Sequence, residues 1–142
     1  MDQQVSHYIS SQPAGRQSIL LAIHSVIIDK DRSVTAEIAP MMGKEMIIYK
    51  NRGMMKYGLA GVKNYMSLHV LPMYGSKTLY DKYKSLLHKA SFQKGCINFN
   101  TADEMPLSMV QQLMEDCAKV DLLKMREEYL QERKKQNQKT KP

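Results

Sequence analysis

Apolar and polar residues along the chain follow a helical period first, then a period of two, then the helical period again. Val5, Tyr8 and Ile9 stand at i, i+3 and i+4, which predicts a short helix over residues 3–11. Pro13 suits the first turn of a second helix. Ile19, Leu20, Ile23, Val26 and Ile27 then form an apolar stripe wide enough to lie on a sheet. Asp29, Asp31 and Arg32 end the stripe, and Asp29, Asp31 and Glu37 read as acids of a solvated turn. The segment TAEIAPMMGKE holds Pro40 and Gly43, so it reads as a turn with at most a short helical piece before it.

From Lys44 onward the period drops to two. KEMIIYK places Met46 and Ile48 on one face and Ile47 and Tyr49 on the other, and Asn51-Arg52-Gly53 reads as a hairpin loop. In MMKYGLAG, Met55, Tyr57 and Leu59 share a face opposite Lys56, Gly58 and Ala60. In NYMSLHVL, Met66, Leu68 and Val70 lie opposite Tyr65, Ser67 and His69, and Pro72 stops the strand. Ser76 is an N-cap for a helix over KTLYDKYKSLLHKA, with Leu79, Tyr83, Leu86 and Leu87 inward. Gly95 leads into a last strand, CINFN, with Ile97 and Phe99 opposite Cys96 and Asn98. Pro106 opens a helix whose inward positions are Leu107, Val110, Leu113, Met114 and Cys117, and Asp121 caps a final helix that frays into the C-terminus.

This order predicts an α+β two-layer sandwich: an antiparallel β-meander sheet with the N-terminal, insert and C-terminal helices packed on one face. The expected core beneath the helices is Met46, Ile48, Met66, Leu68, Ile97 and Phe99. The face of Tyr57 depends on a register the alternation leaves open. The open face is expected to present Lys56, Tyr65, Ser67, His69, Cys96 and Asn98. The expected domain spans residues 1–132, followed by a disordered basic tail over 133–142.

Composition changes this picture in two respects. Twelve Met, eight Tyr, two Phe and no Trp make an adaptable core, because methionine fills irregular gaps. The formal charge of +7 invites a nucleic-acid reading. The closing RKKQNQKTKP, however, carries Arg133, Lys134, Lys135, Lys139 and Lys141 with no acid, so the excess belongs to the tail rather than the fold. Two cysteines, no signal-peptide pattern and no long apolar run point to a cytosolic protein with reduced thiols and no membrane partner.

GLAGVKNYMSLHVLPMYG, then KASFQKGCINFN and DEMPLSMVQQLMEDC, with HYISSQPAGRQSILLAIHSVI upstream, together resemble the bacterial YdhG-like family of domains of unknown function over residues 3–117. The resemblance implies a frataxin-like fold, in which the open sheet face contacts partner proteins. It also implies an iron reading, since at least one relative is treated as a frataxin-like iron chaperone. The chain departs from the family at APMMGKE, where the commoner members carry a Gly-Met-Pro-type segment. Frataxins bind iron through acids on the first helix, and this chain has no Asp or Glu between Gln3 and Ile28, so that ridge transfers onto no position.

There is no CxxC, HxxxH or HExxH, and His69 with Cys96 supplies two soft ligands at most, with His7 or His88 unplaced as a third. Cys96 and His69 on neighbouring strands could pair as nucleophile and base. The same residues fit the commoner case of a small cysteine beside a hydrogen-bonded histidine. No phosphate-loop glycine pattern is present. Lys77, Lys82, Lys84, Lys89 and Lys94, with Tyr80 and Tyr83 among them, usually amount to a solvated face, and the tail adds at most nonspecific phosphate affinity. The expectation is a domain without enzymatic activity or cofactor. It binds a small molecule or a protein partner on the open face, and a homo-oligomer is a further partner expectation. An iron chaperone and nonspecific nucleic-acid association through the tail are the alternatives.

Overall fold

The computed structural model describes residues 1–140, with side chains through residue 137. Its elements are α1 (Gln3–Ser10), α2 (Ala14–Lys30), β1 (Thr35–Met41), β2 (Lys44–Asn51), β3 (Met54–Gly61), β4 (Met66–Val70), α3 (Lys77–Leu86), β5 (Ser91–Gln93), β6 (Cys96–Phe99), α4 (Leu107–Ala118) and α5 (Leu122–Thr140). A 3₁₀ turn, Leu71–Tyr74, follows β4, and another, Ala102–Glu104, follows β6. The six strands form one antiparallel sheet in the order β1-β2-β3-β4-β6-β5.

Local chemistry starts the helices. The Asp2 side chain accepts from the amides of Gln4 and Val5, satisfying donors that the first turn of α1 leaves free. The Ser76 hydroxyl does the same for Leu79 in α3. Arg16 at the start of α2 donates to the carbonyls of Val62 and Lys63, which ties the helix to the loop between β3 and β4.

Two strands lie where the sequence predicts none. TAEIAPM forms β1 and turns into β2 through Met42-Gly43, with φ of 54° and 79°. Positive φ at both loop residues matches the right-handed twist of the strands they join. The β2–β3 loop repeats it at Arg52-Gly53, with φ of 53° and 76°. Pro40 is tolerated because β1 is an edge strand. The second unforeseen strand, β5, is three residues long and pairs with β6 at the opposite edge. Residues 133–140 continue α5 where the composition predicts a disordered tail, and residues 141–142 lie outside the described residues.

One register line runs Ile38–Ile47–Leu59–Leu68–Ile97–Phe92 across the sheet and faces the helices. With Tyr49, Tyr57, Met66, Val70 and Phe99 it meets Val5, Leu20, Ile23 and Ile27 from α1 and α2, Tyr83 and Leu87 from the α3 region, and Val110, Leu113 and Cys117 from α4. Each such aliphatic side chain contributes roughly 1.5–3 kcal/mol on burial. Met66, Leu68, Ile97 and Phe99 lie in this core as expected. Met46 and Ile48 do not: Ile47 and Tyr49 take the helix side, and Met46 and Ile48 sit on the opposite face with Ala60. Alternation alone gives two equivalent faces for KEMIIYK, and only the pairing with β3 distinguishes them.

A β-bulge between β2 and β3 corrects the position of Lys56. Tyr49 pairs with Tyr57 while Lys50 pairs with Met55, so Lys56 is the extra residue. The bulge breaks the alternation of MMKYGLAG. Tyr57 joins the core, and Lys56, expected on the open face, is buried at 1% exposure. Its ammonium lies 2.8 Å from Asp31 Oδ2 and over the Tyr57 ring. Asp31, expected in a solvated turn, is equally buried, accepting from Tyr57 OH at 2.6 Å and from the Ser33 hydroxyl and amide. Burial alone would raise the Asp31 carboxyl, but Lys56, Ser33 and Tyr57 outweigh it and hold it below the usual carboxylate range.

Candidate functional site

Among the described residues no helix residue packs in the cluster on the second face of the sheet, which holds Met46, Ile48 and Ala60. A register line Glu37–Ile48–Gly58–His69–Cys96–Gln93 crosses it, and a parallel line carries Ala60–Ser67–Asn98–Ser91. On the β1–β3 side the face is apolar, with Ala39, Met41, Met55 and Val62 packed against Met46, Ile48 and Ala60. On the β4–β6 side it is polar.

His69 and Cys96 are direct partners across β4 and β6, and His69 Nδ1 lies 2.9 Å from Cys96 Sγ. His69 Nε2 stands 3.5 Å from Ser67 Oγ, so both ring nitrogens face a polar group. Asn98 pairs with Ser67 and its amide reaches Gln93 Oε1 at 3.5 Å. Burial lowers the His69 pKa, which keeps the ring neutral near pH 7. Gly58, opposite His69, leaves room for Met55: a Cβ there would stand 2.6 Å from Met55 Cε and 3.1 Å from Met46 Sδ.

Four of the six residues predicted for this face therefore come together: Ser67, His69, Cys96 and Asn98. Tyr65 stands just before β4 and is 38% exposed. Lys56 is elsewhere, in the buried pair with Asp31.

Tyr74 belongs to the site although the alternation did not select it. The 3₁₀ turn after β4 folds it back so that its ring lies against Gly95 and its hydroxyl is 3.9 Å from Cys96 Sγ. Burial raises its pKa, and the contact with Cys96 adds to this. A signal was present in LPMYG: an aromatic residue between Pro72 and Gly75, in a turn that follows a strand directly. Met55, expected on the same face as Tyr57 and Leu59, is separated from them by the bulge, which has no signature in the sequence, and packs against Met46, Ile48 and Ala60.

The other candidate chemistries find fewer free groups. Lys77 pairs with Asp81 and Lys82 with Asp116, each at 2.8 Å, Lys89 with Asp103 at 3.7 Å, and Lys84 lies over the Tyr80 ring. Of the acids near the first helices, Asp29 pairs with Arg32, Asp31 with Lys56 and Glu37 with Lys50. Among the described residues, no three His, Cys, Asp or Glu side chains group so as to hold a metal ion, and no helix is long and apolar enough to cross a membrane. Two cavities of about 500 and 480 Å³ lie on the other side of the molecule. Gln3, His7, Tyr8 and Glu45 are among the residues lining one, and Ile9, Gln17 and Leu21 among those lining the other. None of the six predicted residues lines either.

A six-stranded antiparallel sheet with helices on one side defines an α+β two-layer sandwich. A solved structure with this fold is that of a DUF1801-family protein, YdhG, from Bacillus subtilis, matched at a TM-score of 0.58 and 11% sequence identity over 79% of this chain and 86% of that one. At that identity the likeness is one of fold, and it supports the YdhG-like resemblance carried by the strand and helix segments. No protein-family profile and no curated protein matches the chain.

Proposed function

We propose that the chain is a non-enzymatic binding domain that receives a protein partner on its second sheet face. The observation carrying this reading is the composition of that face. Exposed Tyr74 adjoins half-buried His69, Cys96 and Asn98, with Ser67 buried beneath them, exposed Tyr65 precedes the same strand, and half-buried Met41 and Met55 pack over buried Met46 nearby. Tyrosine is enriched at the energetic centres of protein interfaces, and methionine side chains repack to fit differing shapes.

Site-specific photo-crosslinking in cells tests this. A photoreactive phenylalanine analogue at position 65 is expected to give a discrete adduct that the same residue at position 77, on the helix side, does not. His69→Ala should remove the adduct while the melting temperature stays close to that of the unaltered chain. An adduct of twice the chain mass would identify a second copy as the partner. Equal adducts from positions 65 and 77, or none from position 65, would overturn the proposal.

A further inference from the structure

The pairing of Cys96 with His69 is closer than packing of a sheet face requires. A cysteine and a histidine that happen to be cross-strand neighbours need share no hydrogen bond, yet here Sγ and Nδ1 are at 2.9 Å. With Nδ1 accepting the thiol proton, the other ring nitrogen carries its hydrogen toward Ser67 Oγ, which selects the tautomer that can act as a base. Cys96 is only partly buried, whereas Cys117 is fully buried on α4 and its thiol is pushed up to about 12 by burial.

From this geometry we infer that Cys96 is a reactive thiol that His69 deprotonates, and that it forms a mixed disulfide with a low-molecular-weight disulfide such as oxidised glutathione. His69 Nδ1 takes the thiol proton, and the Cys96 thiolate attacks one sulfur of the disulfide. The S–S bond of the reagent breaks as the bond to Cys96 forms, and the departing thiolate recovers the proton from the imidazolium. Cys96 is oxidised, and one half of the reagent leaves reduced as a thiol. Tyr74, 3.9 Å from the sulfur, walls the approach on the side of the 3₁₀ turn. The adduct would alter the same face proposed for binding. The reaction itself needs no partner, so either proposal can fail while the other stands.

The full chain is incubated with oxidised glutathione at pH 7, and the adduct at each cysteine is followed by peptide mass mapping. The same is done in urea sufficient to unfold it. Cys96 should react about tenfold faster in the folded chain than in the unfolded one, because a base held 2.9 Å from the sulfur is already in place to take the proton as the sulfur attacks. His69→Asn, compared at matched folded fraction by circular dichroism, should lose that advantage. A folded-state rate at or below the unfolded rate overturns the inference, as does an adduct found mainly at Cys117, or a folded His69→Asn chain that reacts as fast as the unaltered one. If His69→Asn does not fold, the folded-to-unfolded ratio in the unaltered chain decides alone.

Discussion

Lys56 and Asp31 face each other at 2.8 Å inside the molecule, the lysine delivered by a bulge in β3 and the aspartate by the end of α2. Both are almost fully buried, so neither charge has water to replace its partner. Replacing one partner strands the other: Lys56→Ala or Asp31→Ala should each cost about 3–5 kcal/mol. Lys56→Met in an Asp31→Leu background should cost much less, because an apolar pair of similar volume leaves no uncompensated charge. Denaturant melts of the two single variants and the double variant measure this, and additive losses would contradict the pairing.

Acid should weaken the fold in two stages. The His24 ring is buried against Tyr49 OH at 2.7 Å, and burial, with a smaller push from the N-terminal charge, lowers its pKa. The pKa of His69 is lowered by burial as well. A histidine depressed in the folded state takes up protons preferentially when unfolded, so stability is full above about 6.5 and falls as pH drops below that value. Asp31, depressed by its partners, adds a further loss as pH falls below the ordinary aspartate value of about 3.9. Melting temperatures between pH 8 and pH 3 read both stages. His24→Gln should flatten the upper one, and an unchanged upper stage in that variant would assign it to His69.

Gly58 and Gly95 should respond differently to the same change. A Cβ at Gly58 meets the far ends of Met55 and Met46, which swing aside. A Cβ at Gly95 meets the Tyr74 ring and, at 2.9 Å, the Val70 carbonyl, which belongs to the sheet backbone. Gly95→Ala should therefore cost about 1–3 kcal/mol, and Gly58→Ala clearly less. Because Gly95→Ala also displaces Tyr74, fluorescence of the tyrosines should change in that variant only.

The two faces of β2 can be distinguished by truncation. Ile47 lies in the main core, so Ile47→Ala should cost about 2–5 kcal/mol. Ile48 packs in a small cluster whose methionines can collapse into the space, so Ile48→Ala should cost less. Urea midpoints of the two variants compare them directly, and the reverse order would place the helices on the other side of the sheet.

The parts of the fold written in short-range pattern were legible in the sequence. The helical stripe of α2, the alternation of β4 and β6 and the Asn51-Arg52-Gly53 loop read correctly, because each depends on neighbours a few residues away. Ser67, His69, Cys96 and Asn98 were legible for the same reason, lying on the strands with the cleanest alternation. The misread residues depend on pairing. Lys56 follows an unmarked bulge, and β1 contains a proline acceptable only at an edge. Met46 and Ile48 are as apolar as Ile47 and Tyr49, so composition gives no reason to prefer one pair for the helix side. Tyr74 reaches the site through a turn rather than a strand, outside any periodic rule.

The two borders of the sheet share one property. The β1 border carries Pro40, which has no amide hydrogen to offer an incoming strand, together with the charged Glu37. The β5 border is only three residues long. A neighbouring chain seeking to extend the sheet finds a gap in the donor row at one end and too short a template at the other. The sheet can therefore go without a helix on its second face while resisting the runaway strand-by-strand growth that open sheet borders otherwise invite.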